Sequence, residues 1–192
     1  MRRIGVFGGT FDPPHVGHLV TAVNVRHALS LDAVLLVVAN DPWQKSGDRQ
    51  VSPAADRLAM VRAAVSGVEG LEASDLEIRR GGTSYTADTI ADLGADDPDV
   101  ELFLILGSDA AEGLPTWARA DEVRNGATIV VVTRPGAEHG EPPDGWSWVS
   151  VETPRLEVSS TDLRRRVLDG RPLDYLLTPA VIDCIESRGL YR

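Results

Sequence analysis

A chain of 192 residues that is 43% hydrophobic and 25% charged has the make-up of one ordinary folded domain. Such a chain buries roughly 70% of its unfolded surface, which excludes disordered and fibrous classes. A formal net charge of -10 speaks against sequence-independent nucleic-acid binding and against an anionic membrane surface.

Of the 19 basic residues only Lys45 is a lysine. The one cysteine, Cys184, has no partner for an intramolecular disulfide and fits a reducing, cytoplasmic setting. The longest apolar run, Ala33 to Ala39, is far short of the about 20 residues that span a bilayer. The start, Met1-Arg-Arg-Ile-Gly, carries no apolar stretch of signal-peptide length.

In chain order, short β-branched runs predict strands at Ile4 to Phe7, Ala33 to Ala39, Leu76 to Arg79, Val100 to Leu106, Ala127 to Thr133 and Trp148 to Val151. They are apolar nearly throughout, as strands covered on both faces are, so the sheet is expected to be mostly parallel. Helical patterns lie between them. Leu19, Val20, Val23, Val25 and Leu29 follow the first strand, Ser52-Pro53 opens a helix to Val65, and Thr178-Pro179 opens one to Arg188. Gly126, Gly170 and Gly189 stand where C-caps are expected. This alternation predicts a single α/β domain over residues 1–192, a Rossmann-like doubly wound sheet whose ligands sit outside the carboxyl ends of the strands. The Pro/Gly-rich stretch from Pro135 to Gly145 has the length of a surface loop.

The first strand runs into Gly8-Gly9-Thr10-Phe11-Asp12-Pro13-Pro14-His15-Val16-Gly17-His18. Adjacent glycines let backbone N–H groups approach a ligand, and the helix that follows offers an N-terminus with about half a unit of positive charge. Neither G-x-G-x-x-G nor G-x-x-x-x-G-K-[ST] is present. His15 and His18, three apart, share a face of the first turn. The pair reads as a phosphate clamp, as a zinc site with Asp12 as third ligand, or as two capping residues.

The string from Gly8 to His18 resembles the signature loop of the nucleotidyltransferase superfamily related to class I aminoacyl-tRNA synthetases. Val158-Ser159-Ser160-Thr161-Asp162-Leu163-Arg164 resembles that superfamily's second motif, I-S-S-T-x-I-R. Further segments are similar to its nicotinate-nucleotide adenylyltransferase branch: Gly82 to Thr89, Leu106 to Asp109, Leu114 to Trp117, and Val132 to Gly136. Where that branch usually carries Pro-x-His-Lys, this chain reads Pro42-Trp43-Gln44-Lys45.

The resemblance implies ATP and nicotinate mononucleotide as substrates, joined with release of pyrophosphate in cytoplasmic NAD synthesis, and magnesium bound mainly through the ATP phosphates. It implies catalytic roles for His15, His18, Lys45 and Arg164. ATP contacts fall on Gly8, Gly9, Thr10, Phe11, Gly107, Asp109, Ser159, Ser160, Thr161 and Arg164. Mononucleotide contacts fall on Asp12, Lys45, Ser84, Tyr85, Thr86 and Trp117, and Arg134 meets either the mononucleotide phosphate or a neighbouring carboxylate. No protein metal ligand is assigned, and homo-oligomer formation stays open. A phosphate monoester is already mostly a dianion at neutral pH, so the reaction needs no side-chain nucleophile and no general base. The rival readings are a sister enzyme using phosphopantetheine or nicotinamide mononucleotide, a nucleotide-sensing module without catalysis, and a zinc hydrolase.

Overall fold

A computed structural model describes residues 1–41, 51–133, 136 and 140–192. Its strands are β1 (Arg3–Gly9), β2 (Ala33–Val38), β3 (Leu71–Ser74), β4 (Glu101–Gly107), β5 (Thr128–Thr133) and β6 (Trp148–Glu152). Between and after them come α1 (Val16–Ala28), α2 (Ala54–Val65), α3 (Leu76–Arg80), α4 (Thr86–Asp96), α5 (Ser108–Glu112), α6 (Ala120–Gly126), α7 (Ser160–Asp169) and α8 (Pro179–Arg188). The strands form one sheet in the order β3-β2-β1-β4-β5-β6, the order of a Rossmann-like doubly wound fold with its switch point between β1 and β4. The ladders joining β1 to β4, β4 to β5 and β5 to β6 are parallel, with Val6 opposite Leu104 and Ile105 opposite Val130. The α/β class and the parallel sheet expected from the apolar runs are therefore present.

The predicted strand over Leu76 to Arg79 is not. Those residues form α3, and the strand lies five positions earlier, at β3. Leu-Glu-Ile-Arg has a strand's alternation, but Ser74 and Asp75 stand just before it and offer helix-starting polar groups. The Ser74 hydroxyl accepts from the Leu76 N–H (3.3 Å) and the Asp75 carbonyl from the Arg79 N–H (2.8 Å). Gly126 departs from expectation too. It is the last residue of α6, not a left-handed cap, and a Cβ there would lie 2.5 Å from Ile90 Cγ2. Gly170 and Gly189 do cap α7 and α8 with φ of 66° and 62°.

The chain divides into two compact units, each drawn from three stretches. One comprises Met1–Gly8, Thr21–Leu35 and Tyr85–Arg155. It is built on β-branched strand residues such as Ile129, Val130 and Val131, all fully buried. Arg3 closes its amino-terminal edge: the guanidinium pairs with Glu101 (2.9 Å), lies 4.7 Å over the Phe103 ring and donates to the Leu29 carbonyl.

The other comprises Gly9–Val20, Leu36–Ser84 and Leu156–Arg192. Its core joins Met60 and Ala64 of α2 to Leu163 of α7 and Leu177, Val181 and Ile185 at and in α8. Full burial of each large apolar side chain here contributes about 1.5–3 kcal/mol. α8 starts where the sequence signals it: Thr178 Oγ1 accepts from the Val181 N–H (3.4 Å) and Pro179 takes the first helical position. Among the described residues no helix is long and apolar enough to cross a membrane.

Candidate active site

In the second unit, β1 delivers the chain at Gly9 into the loop Thr10–His15, and α1 begins at Val16. Gly9 is required by close packing, because a Cβ would stand 2.8 Å from the ring of Phe11. Phe11 itself is buried and held at φ 50°, a conformation non-glycine residues adopt only when their surroundings enforce it.

The surroundings here are side-chain donors aimed at the loop's carbonyls. Arg57 Nη1 donates to the Thr10 carbonyl (2.9 Å), Arg164 Nη1 to that of Asp12 (2.6 Å), and Ser160 Oγ to that of Pro13 (2.8 Å). Three acceptors are thus turned toward the protein, where they do not oppose an approaching anion.

Asp12 is only 2% exposed. Its Oδ1 accepts from the Tyr191 hydroxyl (2.6 Å) and its Oδ2 from the Ser52 N–H (3.3 Å). Burial alone raises a carboxyl pKa, but these hydrogen bonds and the nearby Arg164 charge outweigh it and hold Asp12 below its ordinary value. The same burial and bond push the Tyr191 phenol well above its ordinary value, so both partners keep their roles as acceptor and donor.

The histidines are three apart and face each other as the spacing predicts. Their rings stack with centroids 3.8 Å apart and planes 29° from parallel, while Phe11 meets His18 edge-on at 5.1 Å. The His15 N–H donates to His18 Nδ1 (3.1 Å). A nitrogen that accepts carries no proton, so the His18 ring is neutral with its proton on Nε2. Burial pushes His15 down to about 4, so it too is neutral at physiological pH. Its Nδ1 is buried with no hydrogen-bond partner among the described residues. A Cβ on Gly17 would lie 3.0 Å from that nitrogen and 3.1 Å from Val158 Cγ1, so glycine lets the stacked pair sit close to the helix.

Asp12 is turned toward Tyr191 and Ser52. Among the described residues no three His, Cys, Asp or Glu side chains gather as a metal centre, so the zinc reading has no geometry here.

α7 brings the second motif to the same loop. Ser159 Oγ caps the helix by accepting from the Asp162 N–H (3.2 Å), Ser160 holds the Pro13 carbonyl, and Thr161 Oγ1 accepts from Arg164 Nη2 (3.1 Å). Two further groups were not apparent from the sequence: Tyr191, and Arg57, which is 1% exposed. Arg57 donates from Nε to Ser52 (2.8 Å), from Nη1 to Thr10 (2.9 Å) and from Nη2 to Asn40 (3.1 Å). Burial lowers its pKa, while the charges of Asp12 and Glu77 and the Tyr191 hydroxyl oppose that shift. The one available signal was an arginine on the apolar face of α2, aligned with Met60, Val61 and Ala64. Ser84 belongs to this unit as well: its hydroxyl accepts from the Asn40 N–H (2.8 Å) and its N–H donates to Asp41 (3.2 Å).

The first unit holds Gly8, Tyr85, Thr86, Gly107, Asp109 and Trp117. Gly8 and Gly107 close the neighbouring parallel strands β1 and β4. A Cβ at either would meet nothing within 4 Å, so packing within the chain does not ask for glycine there. That open space lies at the carboxyl ends of two adjacent strands, where ligands of doubly wound sheets bind. Asp109 is exposed in the first turn of α5. Trp117 follows a 3-10 turn at Leu114–Thr116 and is partly exposed. Lys45 and Arg134 lie outside the described residues.

With this fold and loop, the chain belongs to the cytidylyltransferase-like family, whose model matches residues 6–166. Within that family it groups with the nicotinate-nucleotide adenylyltransferases. It is 44% identical over 192 residues to a "probable nicotinate-nucleotide adenylyltransferase" of Saccharopolyspora erythraea, covering 100% of this chain and 90% of that protein. It is 45% identical over 188 residues to one from Streptomyces coelicolor, covering 96% and 98%. Among solved structures, the Plasmodium falciparum nicotinic acid mononucleotide adenylyltransferase complexed with NaAD superposes with a TM-score of 0.80 at 17% identity, covering 100% of this chain and 98% of that one. At that identity the likeness speaks for the fold.

Proposed function

We propose that residues 1–192 act as one nucleotidyltransferase domain that joins ATP to nicotinate mononucleotide, giving nicotinate adenine dinucleotide and pyrophosphate, in cytoplasmic NAD synthesis. The observation that carries this reading is the meeting of the two signature segments. Residues 147 and 152 positions apart in the chain are joined as Ser160 Oγ to Pro13 and Arg164 Nη1 to Asp12.

The reaction is a displacement. The mononucleotide's phosphate oxygen bonds to the ATP α-phosphorus, the bond from that phosphorus to the bridging oxygen breaks, and the pair of electrons leaves with pyrophosphate. Such chemistry depends on positioning and on neutralising the leaving charge. His18, neutral with Nε2–H, donates to the bridging oxygen. His15, neutral by burial, keeps the pair stacked without adding a second charge. A cation about 4 Å from a phosphate oxygen contributes on the order of 4 kcal/mol at an effective dielectric of 20. Arg164 and Lys45 are assigned that work, against a protein total of -10.

Imidazole, guanidinium and hydroxyl donors at the loop fit phosphate oxygens, not a hard cation. Magnesium, when bound, would be held mainly by the ATP phosphates and would supply further charge neutralisation. The nicotinate ring is assigned to Trp117, its carboxylate to the Ser84-Tyr85-Thr86 segment, and the adenylate side to Gly107 and Asp109.

The test is pyrophosphate release from ATP with nicotinate mononucleotide, nicotinamide mononucleotide and phosphopantetheine in parallel. Release with the acid mononucleotide and formation of the dinucleotide are expected. ATP binding without release, or turnover with phosphopantetheine alone, overturns the reading.

A further inference from the structure

We propose that Tyr191 is a positioning residue of the phosphate loop, acting through the Asp12 carboxylate. This rests on the adenylyl-transfer reading of the loop. Tyr191 lies 179 positions from Asp12 in the chain, yet its hydroxyl donates to Asp12 Oδ1 at 2.6 Å. The ring packs against the core that joins α2, α7 and α8, with the oxygen 3.7 Å from Met60 Sδ.

Two observations set this contact apart from simple packing. First, both ends of it are held in left-handed backbone: Tyr191 at φ 63° and Phe11, next to Asp12, at φ 50°. A non-glycine residue keeps such a conformation only where neighbouring contacts fix it, and each such residue costs on the order of 1–3 kcal/mol. Second, the contact falls on the side chain of the residue whose carbonyl receives Arg164 and whose successors, Pro13 to His15, lead into the stacked histidines. The carboxylate fixes the rotation of the Phe11–Pro13 turn, and that rotation sets where the imidazoles stand. Around the carboxylate lie Ser52, which donates to Oδ2, the Arg57 guanidinium on α2 and the Arg164 guanidinium on α7. Tyr191 and the Ser52 side chain both hydrogen-bond this carboxylate, and the Tyr191 hydroxyl takes Oδ1.

The experiment is Tyr191→Phe, which keeps the ring and deletes the hydroxyl, assayed for pyrophosphate release beside the native protein. Misplacing a catalytic loop by a fraction of an ångström is expected to lower kcat by about 10-fold or more. KM for the mononucleotide should stay within about twofold, while Tm falls because a buried carboxylate loses a donor. Adding Asp12→Ala to Tyr191→Phe should cost much less than Asp12→Ala costs alone, because the two act as one unit. Tyr175→Phe, at a residue 93% exposed, serves as a control and should leave kcat unchanged.

Native kcat in Tyr191→Phe, or a loss that adds in full to that of Asp12→Ala, overturns the proposal. If Tyr191→Phe does not fold, Asp12→Ala must show the same fall in kcat without a matching change in KM, and a native kcat there overturns it equally. A native protein that releases no pyrophosphate would defeat the adenylyl-transfer reading instead, so the two failures are distinguishable.

Discussion

Replacing Arg57 with methionine should unfold this protein under conditions the native chain tolerates. The side chain is 1% exposed and its three donors meet the carbonyls of Ser52, Thr10 and Asn40 at 2.8, 2.9 and 3.1 Å. Methionine fills similar volume, so cavity formation is a small part of the loss. What remains is three carbonyls deprived of a charged donor, each worth about 1.5–3 kcal/mol when intact. The loops can relax and admit water, so the full sum is not reached, and about 3–5 kcal/mol is expected, as for other broken buried charge networks. Against a typical total of about 5–15 kcal/mol this is a large fraction. Urea unfolding near neutral pH measures it as a fall in midpoint at unchanged slope. Arg57→Lys, a point charge that cannot span three carbonyls, should recover less than half of the loss. A loss below about 1 kcal/mol in Arg57→Met would refute the reasoning, because it would mean the carbonyls find other partners at no cost.

Three other outcomes follow from the same geometry. His18→Ala should lower kcat by about 10² or more, the usual loss on removing one transition-state donor, with little change in mononucleotide affinity; steady-state kinetics and calorimetric titration check both. His15, at about 4 in the folded state against an ordinary value of about 6.5, takes up its proton in the unfolded chain first. Stability is therefore full above about pH 6.5 and falls as pH drops toward 4, by about 2 kcal/mol at pH 5. His15→Gln should flatten that slope in denaturation curves, and an unchanged slope would count against it. Gly126→Ala should destabilise by about 1–3 kcal/mol through overpacking against Ile90, read as a lower Tm with native kinetics.

How far these features were legible depends on whether their cause is local. Thr128 to Thr133 read as a strand because both faces are covered, which leaves an unbroken β-branched run. Leu76 to Arg79 misled because its alternation is a property of four residues, whereas its helix is started by Ser74 and Asp75 just outside them. The histidine spacing gave a shared face, and the stacked rings follow from it. The Nε2 proton on His18 was not readable, since it depends on one backbone N–H pointing at Nδ1. Arg57 and Tyr191 escaped for another reason: their partners stand 47 and 179 positions away, and no periodicity records such a distance. Lysine scarcity and the Pro42-Trp43-Gln44-Lys45 segment together singled out Lys45.

The distances along the chain also bear on how the protein comes into being. Its phosphate loop is made before the side chains that orient it: Arg57 follows after dozens of residues, Ser160 and Arg164 much later, and Tyr191 later still. Contacts of such long separation are slow to form and leave early segments exposed while the chain grows. A nascent chain carrying the whole signature loop therefore holds its sequence without its shape. ATP, which stabilises only what it can bind, meets the oriented loop only once these distant segments have been made.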